Sequence, residues 1–177
     1  MQIVEAREHH LDHVLQVERQ AFPCDEAVPR LVADLLQDAT ARPSLSLLAY
    51  EGALPVGHVL FTHARLTGAS QAIPARILAP LAVIPECQCR GIGRELIERG
   101  VERLAKEGVR LVFVLGHPDY YPRCGFEPAI PHGLMAPYPI EPEAAWMVRA
   151  LDAGVLGAVS GRVACAKAMD RPEYWRE

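Results

Sequence analysis

Hydrophobic residues fall in short runs whose spacing alternates between strand-like and helix-like, which predicts a domain of interleaved strands and helices. Gln2 to Ala6 reads as a first strand. From Glu8 to Phe22, Leu11, Val14, Leu15 and Ala21 recur at roughly helical spacing, and Pro23 stops the run because proline cannot continue a helix. Val28 to Leu36 predicts a second helix with Leu31, Val32, Leu35 and Leu36 on one face. Leu45 to Tyr50 and Val56 to Leu66 are rich in strand formers and flank Glu51-Gly52-Ala53-Leu54-Pro55, the pattern of an antiparallel hairpin. After a polar loop, Arg76 to Ile84 is a nearly continuous apolar run ending at Pro85, as expected of a central strand covered on both faces.

The strongest helical pattern begins near Gly91. Ile92, Leu96, Ile97, Val101, Leu104 and Ala105 form one stripe, charged residues occupy the opposite side, and Gly108 is placed to end the helix. Leu111 to Leu115 is another buried strand, so strand, helix and strand make a right-handed parallel βαβ unit. A short turn from Asp119 to Cys124 leads to Gly125-Phe126, and five prolines punctuate the chain from Pro128 to Pro142. A strand at Trp146 to Leu151 and a weakly patterned tail follow. The reading is one α/β (α+β) domain over residues 1–177, with a C-terminal extension from about residue 128 that is a candidate cover for a site.

Composition narrows the function. With 177 residues, 50% of them hydrophobic, the chain can bury one sizeable core but hardly two. No apolar stretch is long enough to cross a bilayer and Met1 begins no leader pattern, so a cytoplasmic protein with no membrane partner is expected. A net charge of -4 argues against nucleic acid as the main partner. Five cysteines without a C-x-x-C pair predict free thiols and no metal. His9 and His13, one helical turn apart, lack a third ligand and read as an exposed helix face.

Candidate chemistry concentrates at the junction of the apolar strand with the amphipathic helix: Gln88-Cys89-Arg90-Gly91-Ile92-Gly93. Two glycines let the backbone approach a ligand closely, and the first turn of the helix offers unpaired N–H groups and the positive end of the dipole. Arg90 and Arg94 add cationic side chains, which favours a diphosphate. A Walker loop is excluded by the missing Gly-Lys-Ser/Thr, and a dinucleotide fingerprint by Leu96 at the third glycine position. The remaining pattern, Gln-x-x-Gly-x-Gly after Leu81-Ala82-Val83-x-Pro85, resembles the phosphate loop of the GNAT superfamily of N-acetyltransferases. Gly116-His117-Pro118-Asp119-Tyr120-Tyr121-Pro122-Arg123-Cys124-Gly125-Phe126 resembles its second motif, and specifically that of the YhbS-like branch.

The resemblance, strong from Arg76 to Pro128, implies a GNAT-like mixed, twisted sheet of six or seven strands with helices on both faces, splayed between Val83 and Leu111–Leu115. It implies acetyl-CoA as cosubstrate, with pantetheine along Leu81, Ala82 and Val83 and diphosphate on the amides of Gln88, Cys89, Arg90, Gly91, Ile92, Gly93 and Arg94. The N–H of Val83 would stabilise an oxyanion and Tyr121 would protonate the departing thiolate. The acceptor would be an amine on a small molecule or peptide, attacking directly in a ternary complex. Its specificity is expected from the first two helices and the proline-rich segment, and a homodimer is possible.

The family's usual strand glutamate has no counterpart between Arg76 and Ile84. His117 and Asp119, then His63 and Glu51, are the candidate bases. The gap leaves a noncatalytic acyl-CoA-binding or regulatory module as the alternative.

Overall fold

A computed structural model describes residues 1–176 of the chain. Its strands are β1 (Gln2–Glu5), β2 (Leu45–Glu51), β3 (Leu54–Thr67), β4 (Ala75–Val83), β5 (Leu111–Leu115), β6 (Glu127–Pro128), β7 (Leu134–Met135), β8 (Trp146–Ala150) and β9 (Gly161–Ala164). Three α-helices accompany them: α1 (Leu11–Ala21), α2 (Ala27–Gln37) and α3 (Ile92–Lys106). The main sheet path has seven strands in the order β1-β2-β3-β4-β5-β8-β6. The C-terminal region adds two more strands, because β9 pairs with the end of β3 at Arg65–Thr67 and with β7. The β4–β5 pair is parallel, as the βαβ pattern requires, with Ala75 opposite Leu111 and Leu78 opposite Val114.

Alternation along β3 puts the helices on opposite faces. Gly57 and Phe61 face α3: a Cβ on Gly57 would lie 2.9 Å from Leu96, and one on Gly100 only 2.2 Å from the Phe61 ring. The glycine within α3 therefore lets the helix lie close over Phe61. It was not part of the expected stripe, whereas Ala105 was and is exposed.

The opposite face of β3 carries His58, which is fully buried against α1. Its Nδ1 and Glu18 Oε1 lie 2.5 Å apart, and its Nε2 is 2.8 Å from Ser46 Oγ on β2. Glu18 Oε2 has no hydrogen-bond partner. Burial lifts the Glu18 carboxyl above its ordinary range, and its contact with His58 opposes but does not cancel the effect.

Two consequences can be measured. Gly100→Ala should lower stability by about 1–2 kcal/mol, because overpacking against Phe61 outweighs the gain in helix propensity. The urea midpoint would fall, and a rise would show that the ring yields freely. The raised folded-state pKa of Glu18 means that the native state holds this proton more tightly than the unfolded chain. The associated stability is fully present below the ordinary glutamate value of about 4.3 and is lost as pH rises through the folded pKa. Thermal scans should thus show Glu18→Gln gaining on the parent as pH rises, and a pH-independent difference would refute the assignment.

Candidate active site

Pro80 interrupts the central strand. It has no N–H to give to a ladder, and strands accommodate such a residue at a bulge. Between Leu78 and Leu81, β4 spends three steps while β3 advances two, from Phe61 to Val59. Pairing of β4 with β5 ends at Leu78 and Val114. From Ala79 to Val83 the strand changes from buried to mostly half-buried, so only Ala75 to Leu78 fit the expectation of a strand fully covered on both faces.

Backbone direction in the opened segment follows from one hydrogen bond. Ile84 donates its N–H to Val56 O at 3.0 Å, so alternation turns the Ala82 amide toward β3 and the Leu81 and Val83 amides away from it, into the opening. Val83 O accepts from Gln88 Nε2 at 3.0 Å, which ties the start of the loop to the end of the strand.

The loop turns through two left-handed residues, Cys89 (φ 59°) and Gly91 (φ 83°). Gly91 precedes Ile92 as the N-cap of α3, and nothing lies within 4 Å of where its Cβ would be, so conformation rather than space favours glycine there. Gly93 is constrained by space: a Cβ would sit 2.7 Å from Tyr120 Oη and 3.3 Å from Leu81. The first turn of α3 is thus packed directly on the opened strand. Arg90 points to the β2–β3 hairpin, where its Nη2 donates to Glu51 Oε1 at 2.6 Å. Arg94 is exposed and lies near Tyr120 and Cys124.

The second motif forms a tight turn beside this helix. Tyr121 packs so closely on Gly116 that a Cβ there would be 2.3 Å from its ring, and Phe126 meets the other side edge-on at 5.6 Å. Gly125 ends the turn with φ 78°. Arg149 of β8 braces it, donating to Cys124 O at 2.8 Å and to both carboxylate oxygens of Glu98 on α3, at 2.9 and 3.1 Å. Burial, then Glu98, raises the Cys124 thiol, against the opposing effect of Arg94 and Arg149. A neutral, buried thiol is a poor nucleophile. Burial is also the main cause of the raised Tyr120 phenol, followed by Cys124, with Arg94 opposing.

A cavity of about 490 Å³ lies at the opening. Ile77 to Leu81 form one wall, Leu115, Gly116, His117 and Tyr121 another, and Phe22, Asp25, Val28 and Leu31 a third. Met169 and Glu173 to Arg176 close the fourth side. Among the candidate bases, His117 lines this cavity. Glu51 is engaged by Arg90, and His63 pairs with Arg76 toward the other end of the β3–β4 ladder. A depression beside the α1–α2 junction adjoins this cavity through Phe22 and Asp25, and another at the start of α1 shares no residue with it.

The proline-rich segment is not part of the cavity wall; it packs elsewhere, with Leu134 O accepting from the buried Trp146 indole and β7 pairing with β9. The tail takes the place expected of it. Trp175 meets Trp146 edge-on at 5.6 Å and donates to Met169 O, while Lys167 and Ala168 amides bond to Thr40 and Asp38 after α2. Weak patterning hid this contribution, although the aromatic pair Tyr174-Trp175 was a legible sign of packing. Among the described residues, no His, Cys, Asp and Glu side chains gather in threes at metal-binding geometry, and no helix is long and apolar enough to cross a membrane.

Residues 43–128 match the family described as "Acetyltransferase (GNAT) domain". The chain is 50% identical over 157 residues to "Uncharacterized N-acetyltransferase YjhQ" of Escherichia coli (strain K12), covering 86% of this chain and 85% of that protein. Identity to "Uncharacterized N-acetyltransferase YhbS" of the same strain is 33% over 145 residues, 82% and 84% of the two chains. A crystal structure of YhbS from Escherichia coli in complex with CoA superposes with a TM-score of 0.87 at 29% identity, covering 96% of this chain and 92% of that one. A GNAT family acetyltransferase from Brucella melitensis in complex with acetyl-CoA gives a TM-score of 0.75 at 26% identity, covering 96% and 97%. With these two motifs on a splayed sheet and relatives matched over most of their length, the chain belongs to the GNAT family of N-acetyltransferases, in its YhbS-like branch.

Proposed function

We propose that this acetyltransferase uses acetyl-CoA and passes the acetyl group to a primary amine by direct attack in a ternary complex. The observation that carries the reading is the meeting of three features at one opening: the outward amides of Leu81 and Val83, the start of α3 at Gly91–Gly93, and the cavity lined by Tyr121. CoA and acetyl-CoA in the YhbS and Brucella structures support the choice of cosubstrate.

In this reading the exposed polar edge of β4 aligns the pantetheine chain, with Ala82 keeping the strand in register through β3. Backbone amides from Gln88 to Arg94 receive the diphosphate, assisted by the helix dipole and the exposed Arg94. Arg90 shares its charge with Glu51 and acts chiefly on the shape of the loop. The bound acetyl thioester supplies the electrophilic carbonyl. Val83 N–H is the donor for negative charge developing on its oxygen. His117, on the cavity wall, takes the proton from the incoming ammonium and provides the base that the central strand lacks. Tyr121, held by Gly116 and Phe126, gives a proton to the departing thiolate and is restored by the second proton that the nitrogen sheds as the tetrahedral intermediate collapses; the products are an amide and CoA. Five free cysteines suit action in a reducing compartment, the cytoplasm.

Tyr121→Phe should lower kcat by about 10²–10⁴-fold while leaving the acetyl-CoA Kd unchanged, the range for loss of a positioned proton donor. Stopped-flow assay and calorimetry together check this; an unaltered kcat would return Tyr121 to a packing role. Gly91→Val places a β-branched residue at φ 83° and should weaken acetyl-CoA binding by roughly tenfold or more, since left-handed backbone costs such residues about 1–2 kcal/mol. Titration of the folded variant at wild-type affinity would remove the loop from the binding site.

A further inference from the structure

The cavity's walls also select among amines. Phe22, Val28 and Leu31 from the α1–α2 region and Met169 and Trp175 from the tail line the same cavity, with the Lys167–Met169 turn packed beside α2. Asp25, His117, Glu173 and Arg176, which also line it, are all solvent-exposed and so belong to its rim. Asp25 is further occupied as a cap, accepting the Ala27 N–H at 2.9 Å. The described lining therefore offers no buried carboxylate to a cation carried inside. Its volume, about 490 Å³, must also admit the acetyl end of the cofactor beside Leu81 and Tyr121, so what is left suits only a compact organic body.

We propose that the acceptor is a small primary monoamine on an apolar, aryl or alkyl body. The inference rests on the acetyl-transfer reading above and adds the class of its second substrate. An apolar body gains by leaving water for the side chains of Phe22, Val28, Leu31, Met169 and Trp175. A polyamine would bring a second ammonium into the same wall, and burying a charge without a partner is strongly unfavourable. A peptide brings amide N–H and C=O groups that need partners, and these side chains supply none. The reacting nitrogen itself enters neutral after giving its proton at the rim, where His117 stands beside water. Acidic Asp25 and Glu173 at the same rim, only partly offset by Arg176, favour arrival of a cationic amine of any valence, so discrimination against polyamines rests on the apolar interior.

The test measures acetyl-CoA-dependent acetylation of 2-phenylethylamine, spermidine and a hexa-alanine peptide with a free N-terminus, by thiol release and mass spectrometry. The kcat/KM for 2-phenylethylamine should exceed that of either competitor at least tenfold. Val28→Asp, checked for folding by circular dichroism, should reduce that preference about tenfold with acetyl-CoA affinity retained. Equal or better use of spermidine or the peptide would overturn the inference, as would failure of all three to react while acetyl-CoA still binds. If acetyl-CoA does not bind the folded wild-type protein, the transfer reading itself falls. Those two failures are read in separate experiments, turnover and calorimetry.

Discussion

A proline in the middle of a central strand cannot donate to a ladder, and β4 accommodates Pro80 with an extra residue opposite β3. Two strands that run parallel from Ala75 and Leu111 then part after Leu78 and Val114. The opening in the sheet is that parting. It leaves backbone amides of β4 turned toward a gap, it lets the loop to α3 close over one end, and it gives Tyr121 a cavity to line. An unbroken parallel ladder would have consumed those amides in structure.

An opening in a sheet needs rigid margins, and the margins here are made by close approach. Gly93 brings the first turn of α3 onto Leu81 and Tyr120, Gly100 brings its middle onto Phe61, and Gly116 admits the Tyr121 ring. Arg149 then links β8, α3 and the tyrosine turn through Glu98 and Cys124 O. On the other face, Glu18, His58 and Ser46 fix α1 against β3 and β2. Taking one partner from such a buried pair typically costs about 3–5 kcal/mol, so its value lies in fixing where α1 sits more than in net stability. Phe22 at the end of α1 is thereby held at the cavity.

The tail completes the site from a distance in sequence. Phe113 and Trp146 stack at 5.2 Å, and Trp175 packs on Trp146, so the turn at Pro172–Tyr174 is anchored to the strands beside the opening. This anchoring brings Met169 and Trp175 into the same cavity lining as Phe22 and Val28. Backbone groups turn outward at the β4–α3 junction, whereas the cavity beside it is lined by side chains drawn from distant parts of the chain.

By itself the sequence determined most of the elements and the family to which the chain belongs. The 3.6-residue period of α3, the apolar run of β5 and the paired glycines with their downstream tyrosines are local features, and local physics makes them visible. Pro80 was equally visible, but the splay it accompanies was expected from the family resemblance and not from the proline, because whether a proline bends a strand or opens a sheet depends on which neighbours must pair with it. Only the tertiary structure decided that Gly100 would meet Phe61, that Arg90 would turn to Glu51, and that Glu18 would be buried against His58. It also decided that the tail, rather than the proline-rich segment, would wall the cavity. These are contacts between residues separated by tens of positions, and no local propensity encodes them; they arise when the sheet fixes its order and the remaining surfaces must be covered.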